Sequence, residues 1–285
     1  MSPYRTAALT IIAMLAFAGN SLLCRLALKH TAIAPLTFTG IRLVAGAIAL
    51  CCILAWSGRQ QQAARSGSWW SAVCLFVYAA AFSLAYVQLT TGTGALLLFA
   101  SVQVTMFAAG IWSGERVSVQ KGLGLLVAMS GLIYLLAPGV SAPPLLSAAW
   151  MVASGIAWGV YSLRGRNSLD PLATTAGNFV KSLPFALLAA TLGMVGATYT
   201  RFDTLGLVYA VLSGAVTSGI GYAIWYRALK HLTATAAATV QLSVPVIAAV
   251  GGALWIGDDL SLRLAIGSAV VLGGIGISFV KRRAS

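Results

Sequence analysis

The chain consists of long apolar runs separated by short polar connections. Ten runs, bounded by charged residues, proline or Gly/Thr clusters, are centred near Phe17, Ala45, Tyr78, Gln103, Ala128, Gly155, Pro184, Val216, Pro245 and Leu272. A helix of about 20 residues spans the roughly 30 Å hydrocarbon core of a bilayer. Backbone groups in lipid must be satisfied within their own segment, so these runs are expected to be helices. The pattern predicts an all-α integral membrane protein with ten transmembrane helices.

The composition agrees with this pattern. Of the 285 residues, 59% are hydrophobic and only 8% are charged, which is too few charges for the surface of a soluble domain. The first run follows Arg5 and contains the string Ala16-Phe17-Ala18, as a secretory signal and its cleavage site do. The run nevertheless continues to Leu28. We therefore expect this segment to be retained as the first membrane helix.

The distribution of Lys and Arg predicts the orientation. With the N-terminus in the cytoplasm, twelve of the 18 basic residues fall on cytoplasmic segments and four on the other side, while Arg42 and Lys181 lie within spans. Cytoplasmic connections of membrane proteins carry such an excess. The asymmetry predicts that both termini are cytoplasmic, and it explains the net charge of +13 without a nucleic-acid partner. Membrane lipids are the expected partners of the basic tail.

A pattern in the first half returns 143 positions later (232 minus 89). The matched pairs are Leu89 and Leu232, Thr90 and Thr233, Trp112 and Trp255, Gly114 and Gly257, Glu115 and Asp258, Ser118 and Ser261, Gly124 and Gly267, and Gly131 and Gly274. The register has no gap over three runs, which predicts one five-helix unit present twice, in residues 1–140 and 145–285. Because five is odd, the second unit enters the membrane from the opposite side. An inverted repeat of this kind allows one central site to open to either side in turn.

Motifs within these units resemble those of one transporter family. They are Ser-Gly-Glu-Arg-Val-Ser from Ser113, Gly-Asp-Asp-Leu-Ser from Gly257, Ala-Trp-Gly from Ala157, and the thirteen-residue spacing from Pro245 to Asp258. With the ten spans, they make nearly the whole chain similar to the EamA branch of the drug/metabolite transporter superfamily. Within that branch the chain looks most like exporters of aromatic and other neutral amino acids. The resemblance implies a multi-pass protein of the bacterial inner membrane, which we expect to be a monomer.

Two departures from the family pattern concern bending. Ala18-Gly19-Asn20 stands where the family usually carries Trp-Gly-Asn, and Val102 stands at the position equivalent to Pro245. Without that proline, the fourth span is freer to stay straight. We expect the two halves to bend differently, with Gly19, Gly159 and Pro245 as gating hinges.

A repeat of this kind places the substrate near the membrane midplane, so polar and aromatic side chains near span centres are the candidates. The predicted substrate-binding residues are Phe17, Asn20, Tyr78, Phe99, Ser101, Gln103, Trp158, Lys181, Tyr222 and Gln241. A buried amide is costly without a partner, which favours a role for Asn20, Gln103 and Gln241. Each could equally serve as an interhelical hydrogen bond that only holds the bundle together.

The remaining intramembrane groups have simpler explanations. Trp56, Trp69, Trp70, Trp112, Trp150 and Trp255 lie near span ends, where tryptophan anchors helices at the lipid–water interface. Arg42 and Lys181 are deeper, and for both the favoured interpretation is a stem that reaches toward water or a bond to helix carbonyls. Lys181 could also meet a substrate carboxylate.

All five acidic residues, Glu115, Asp170, Asp203, Asp258 and Asp259, lie near span ends. A proton-coupled exporter commonly uses a buried carboxylate, so we expect facilitated transport. The alternatives are export of other metabolites or drugs, such as nucleobases and nucleosides, and a non-transporting receptor or structural role. His30 and His231 lie at opposite span ends and have no metal-ligand spacing with the four cysteines. We therefore expect no enzymatic activity, no metal and no cofactor.

Overall fold

A computed structural model describes residues 3–112, 119–136, 142–166, 168–195, 203–232, 237, 240–241 and 243–279. The described part is entirely helical and contains no strand. Its helices are α1 (Pro3–His30), α2 (Pro35–Trp56), α3 (Gln61–Arg65), α4 (Trp69–Tyr86), α5 (Thr91–Trp112), α6 (Val119–Leu136), α7 (Leu145–Gly165), α8 (Pro171–Val195), α9 (Thr204–Leu229), α10 (Ser243–Ile256) and α11 (Leu262–Phe279). The all-α prediction is confirmed. The motif from Ser113 to Ser118, the repeat residue Thr233 and the basic tail lie outside the described residues.

Local sequence signals account for several helix starts. Pro35 and Pro171 stand at the first positions of α2 and α8, where proline has the helical φ angle and its missing N–H costs nothing. The Ser68 hydroxyl accepts a hydrogen bond from the Ser71 N–H and caps α4. Asp203 caps α9 in the same way, by accepting hydrogen bonds from two N–H groups of its first turn.

Six of the described helices are long and apolar enough to cross a membrane by length and composition: α1, α2, α4, α5, α7 and α9. The six tryptophans predicted at the interface, Trp56, Trp69, Trp70, Trp112, Trp150 and Trp255, all have exposed side chains. Large aliphatic side chains are exposed along the same helices. Both features suit a surface in contact with lipid.

The main helix contacts join the first half of the chain to the second. Helix α2 packs on α8 and α9, α4 and α5 pack on α7, and α6 packs on α11. Helix α1 contacts α9 and α10. Each half therefore completes the core of the other.

Glycine permits the closest of these crossings. A Cβ atom built on Gly214 of α9 would lie 2.1 Å from the Arg42 carbonyl oxygen of α2. One built on Gly155 of α7 would lie 2.5 Å from the Leu98 carbonyl oxygen of α5. Side chains do not fit at such distances, so glycine at these positions lets the helix backbones meet.

Two turns of π-helix interrupt the second half. They occupy Ser213–Ile220 within α9 and Gly252–Ile256 at the end of α10. A π-turn shifts the faces of the helix that follows it, and it is often found at functional sites. The first of these turns carries Ser213, Thr217 and Ser218 into the centre of the bundle, where all three are buried.

Candidate functional site

Four aromatic side chains meet at the centre of the bundle, and we call them the aromatic cluster. They are Phe17 of α1, Tyr78 of α4, Trp158 of α7 and Tyr222 of α9. The ring of Trp158 lies 4.6 Å from that of Tyr222, 4.9 Å from that of Tyr78 and 5.4 Å from that of Phe17, centroid to centroid. None of the four is more than 5% exposed. Two helices from each half of the chain thus supply one buried aromatic core.

Arg42 lies directly against this cluster. Its side chain is only 1% exposed. Its Nε donates to the Ser218 hydroxyl at 2.9 Å, and its Nη2 donates to the Tyr222 and Tyr78 hydroxyls at 2.7 and 3.1 Å. The guanidinium carbon also lies 5.1 Å from the ring centroid of Phe82. The expectation that Arg42 reaches toward water or bonds to helix carbonyls is therefore wrong, because three hydroxyls hold the guanidinium inside the bundle.

Asn20 connects the same network to the π-turn of α9. Its Nδ2 donates to the Tyr78 hydroxyl at 3.1 Å, and its Oδ1 accepts from the Ser213 hydroxyl at 2.7 Å. Thr217 and Ser218 also approach Oδ1, each at 3.4 Å. The buried amide has partners on two helices, so its polarity is satisfied in this conformation.

The other predicted residues are placed as follows. Phe99 packs beside Phe17, with ring centroids 6.5 Å apart, and Gln241 accepts a hydrogen bond from the Trp158 indole N–H at 3.4 Å. Ser101 and Gln103 are buried on α5, and the Ser101 hydroxyl donates to the Leu97 carbonyl of its own helix. Lys181 is not brought into the cluster. Its Nζ donates to the carbonyl oxygens of residues 64 and 66, at 3.2 and 2.6 Å.

Sequence reasoning does not select Arg42 for this centre, whereas it counts Trp225 of α9 among the midplane candidates. Arg42 was set aside although a cation seven residues inside an apolar helix is by itself a signal of function. Trp225, one turn beyond Tyr222, is fully buried and its ring packs against Phe17 at 5.6 Å.

Near the C-terminal end of α1, Asp258 joins several elements in what we call the Asp258 hub, made of Arg25, Lys29, Thr91 and Asp258. The Thr91 hydroxyl and N–H donate to Asp258 Oδ2 at 2.7 and 2.8 Å. The Lys29 ammonium lies 3.2 Å from Oδ1, and Arg25 Nε lies 3.6 Å from it. Arg25 also donates to the carbonyl oxygen of Tyr86 at 2.9 Å. The hub ties the ends of α1, α4, α5 and α10 together.

The ionisation of Asp258 gives this hub a predictable pH dependence. Burial alone would raise the pKa of the Asp258 carboxyl, but hydrogen bonds from Thr91 and the charges of Arg25 and Lys29 outweigh burial and hold the pKa below its usual value. A lowered pKa stabilises the folded state above the unfolded pKa of about 3.9, and this contribution is lost as the pH falls through the folded value. We expect the melting temperature of purified wild-type protein to exceed that of Asp258→Asn above about pH 5 and the difference to shrink as the pH falls below the unfolded pKa of about 3.9. A difference that persists unchanged at the lowest pH would contradict an ionised Asp258.

The end of the bundle opposite the Asp258 hub has a more exposed ion pair. Arg59 pairs with Asp170, and the side chains of this pair are each more than a third exposed. Beside the pair lies a cavity of about 470 Å³, lined by Leu9, Ile53, Arg59, Asp170, Pro171, Leu172, Ile220, Ala223, Ile224, Arg227, Lys230 and His231. A second cavity, of about 620 Å³, is lined by the first turns of α1 together with His231, Leu232 and Val240. Both cavities thus lie at the end of the bundle opposite the Asp258 hub.

Three relatives show how widely this sequence pattern is shared. An uncharacterized protein of Pseudomonas aeruginosa is 55% identical over 99% of this chain and 97% of its own length. A Streptantibioticus cattleyicolor protein named "Probable terminal-alkyne amino-acid exporter" is 27% identical over 69% of this chain and 66% of its own. The threonine/homoserine exporter RhtA of Escherichia coli is 26% identical over 56% of this chain and 55% of its own.

One family pattern matches both halves of the chain. The pattern that describes the EamA-like transporter family matches this chain twice, over residues 5–137 and 145–280. The two matches cover most of the chain and include all four helices of the aromatic cluster. The chain belongs to the EamA-like transporter family and is a multi-pass membrane protein.

Proposed function

We propose that this transporter exports neutral and aromatic amino acids across the bacterial inner membrane by alternating access. The observation that carries the proposal is the buried centre, where aromatic rings from both halves surround polar groups on Asn20, Arg42 and Gln241. Aromatic walls suit an apolar side chain, and the polar groups suit a zwitterionic backbone. The names of two relatives, the amino-acid exporters of E. coli and S. cattleyicolor, support the same substrate class. So does the resemblance of the sequence motifs to the bacterial exporter YddG.

The proposed architecture is ten membrane helices in two inverted five-helix units, residues 1–140 and 145–285. The family pattern supports this division because it matches once in each half. Helix contacts support it as well. When each helix is replaced by its counterpart in the other unit, the packing of α4 on α7 becomes that of α9 on α1, and the packing of α5 on α7 becomes that of α10 on α1. The structure contains all four of these contacts.

A pair of glycines supports the repeat at the level of single residues. A Cβ atom built on Gly131 of α6 would lie 2.9 Å from the Val271 N–H nitrogen of α11. One built on Gly274 of α11 would lie 2.4 Å from the Ala128 nitrogen of α6. Adding 143 to Gly131 and Ala128 gives Gly274 and Val271, so each contact is the counterpart of the other. A two-fold relation between the units would produce this reciprocity.

With both termini in the cytoplasm, the Asp258 hub lies at the outer face and the two cavities lie at the cytoplasmic face. The conformation is then closed outside and partly open inside. The proposed hinges differ in their surroundings: Gly19 has only the Thr217 methyl within 4 Å of a built Cβ, whereas Gly159 lies against Thr105 at 2.9 Å. We propose that α1 and α7 pivot at these two glycines, and α10 at Pro245, as access alternates.

The proposed mode is facilitated export, since the described aspartates lie at helix ends, away from the cluster. A substrate ammonium would meet amide oxygens and aromatic faces in place of a carboxylate. Direction would follow the substrate gradient.

Efflux from liposomes tests this function. Purified protein is reconstituted with labelled phenylalanine, tryptophan, methionine or threonine inside, with and without an imposed pH gradient. We expect saturable efflux of at least one amino acid that is unaffected by the pH gradient. Efflux that follows the gradient would contradict the facilitated mode. The absence of efflux for all four, with transport of a nucleobase or a drug, would replace the proposed substrate class.

A further inference from the structure

We propose that Arg42 is the anchor for the carboxylate group of the substrate, an inference that rests on the proposed function. Arg42 Nη1 is fully buried and has no hydrogen-bond partner, although Nε and Nη2 of the same guanidinium are bonded. A buried donor of a charged group that is left unpaired costs free energy, so such an atom in a native structure calls for an explanation. A ligand oxygen that arrives during transport supplies the missing partner.

The charge of Arg42 is not balanced by a carboxylate among the described ion pairs. The described ion pairs join Arg25 and Lys29 to Asp258 and Arg59 to Asp170, and none of them includes Arg42. The described groups that bond to Arg42 are hydroxyls, which do not balance a buried positive charge. Burial of a cation is expensive unless an anion accompanies it. The centre is therefore built to receive negative charge, and a carboxylate matches the planar geometry of a guanidinium.

Other polar and aromatic groups of the centre suit the rest of an amino acid. The Trp225 indole N–H is a second buried donor without a partner, and the rings of Trp225 and Tyr222 both pack against Phe17. The Gln241 side-chain oxygen, which accepts a long hydrogen bond of 3.4 Å from Trp158, offers an acceptor two residues before α10. Unpaired donors on Arg42 and Trp225, an acceptor on Gln241 and the aromatic rings around Phe17 fit an α-amino acid with an apolar side chain.

The same contacts couple binding to movement. Arg42 of α2 bonds to Tyr78 of α4 and to Ser218 and Tyr222 of α9, so its guanidinium joins helices of both halves. A carboxylate that binds Arg42 competes for the donors that now hold these hydroxyls. Substrate binding would thus loosen contacts between α2 and α9, in the region where the π-turn lies.

Ligands that differ only in the carboxylate test the anchor. We would titrate wild-type protein in nanodiscs with L-phenylalanine and with L-phenylalaninamide, which has nearly the same shape but no negative charge, and repeat the comparison with methionine and methioninamide. Charge-assisted hydrogen bonds predict that the acids bind roughly 10- to 100-fold more tightly than the amides. Acids and amides of equal affinity would overturn the anchor and leave amino-acid transport standing. Failure of all four ligands to bind would overturn the proposed substrate class and the anchor with it.

Variants then assign the effect to one residue. Arg42→Met should weaken phenylalanine binding by roughly 10- to 100-fold, leave phenylalaninamide binding within about threefold, and so abolish the discrimination. Arg42→Lys keeps the positive charge but loses the planar guanidinium, so it should retain part of the discrimination between acid and amide. Arg164→Met is the matched control, because Arg164 is exposed and bonds to Ser68 and Ser71 at the end of α4. Discrimination that survives in folded Arg42→Met would overturn the proposal, and if that variant does not fold, the wild-type comparison decides.

Discussion

Gly214→Leu is expected to prevent stable assembly of the bundle. The Cβ atom would lie 2.1 Å from the Arg42 carbonyl oxygen, and this neighbour is backbone, which cannot rotate away. Helices α2 and α9 would have to separate. Overpacking of a core costs about 1–3 kcal/mol where side chains can adjust, and the cost here should exceed that range. We expect little folded protein after detergent extraction, measured as the monodisperse fraction in size-exclusion chromatography.

A second glycine provides the control for this prediction. Gly273 lies on α11 and has nothing within 4 Å of a built Cβ, so Gly273→Leu adds the same side chain to a helix without a clash. It should give wild-type amounts of monodisperse protein. Equal yields from Gly214→Leu and Gly273→Leu would show that α2 and α9 do not approach as closely as described.

Asp258→Ala is expected to open the predicted outer face. The change removes the acceptor of two hydrogen bonds from Thr91 and the charge that faces Arg25 and Lys29. Loss of one partner of a buried pair costs about 3–5 kcal/mol, and we expect roughly 2–3 kcal/mol here because Lys29 is partly exposed. A shift of that size would raise the population of open molecules by more than tenfold.

Cys24 reports this opening. It lies beside Arg25 on α1, is fully buried, and approaches the Ser83 hydroxyl. Alkylation of Cys24 by a membrane-impermeant thiol reagent, followed by mass spectrometry, should be at least about tenfold faster in Asp258→Ala than in wild type. The neighbouring Asp259 is exposed, and Asp259→Ala should leave the rate unchanged. Equal rates in all three proteins would show that the hub does not close this face.

Helices and their apolar character follow from local pattern, and for that reason the sequence predicts them well. A long apolar run can satisfy its backbone in lipid only as a helix, whatever its neighbours are. Phe17, Tyr78, Trp158 and Tyr222 could also be selected from the sequence, because each lies near the middle of a span and the midplane is where the helices cross. The depth of a residue in the membrane follows from its position along its span, so the sequence predicts it.

The direction in which a side chain points is a different matter. Arg42 and Lys181 lie at similar depth in their spans, yet Arg42 meets Ser218 and Tyr222 while Lys181 bonds to carbonyls near α3. The difference arises because Gly214 brings α9 against the backbone of Arg42 itself. Contacts between residues more than 110 positions apart decide the role of each cation, and no local pattern contains that information.

The pairing of α6 with α11 has a consequence for biosynthesis. Helix α6 packs chiefly on α11, and Gly131 fits against residues 270 and 271 of that helix. When α6 ends at Leu136, the first residue of α11, Leu262, has yet to be translated. At about 5–20 residues per second, the ribosome needs on the order of 6–30 s to complete α11. During that interval lipid covers the face of α6 that carries Gly131, and α11 displaces this lipid when it is inserted.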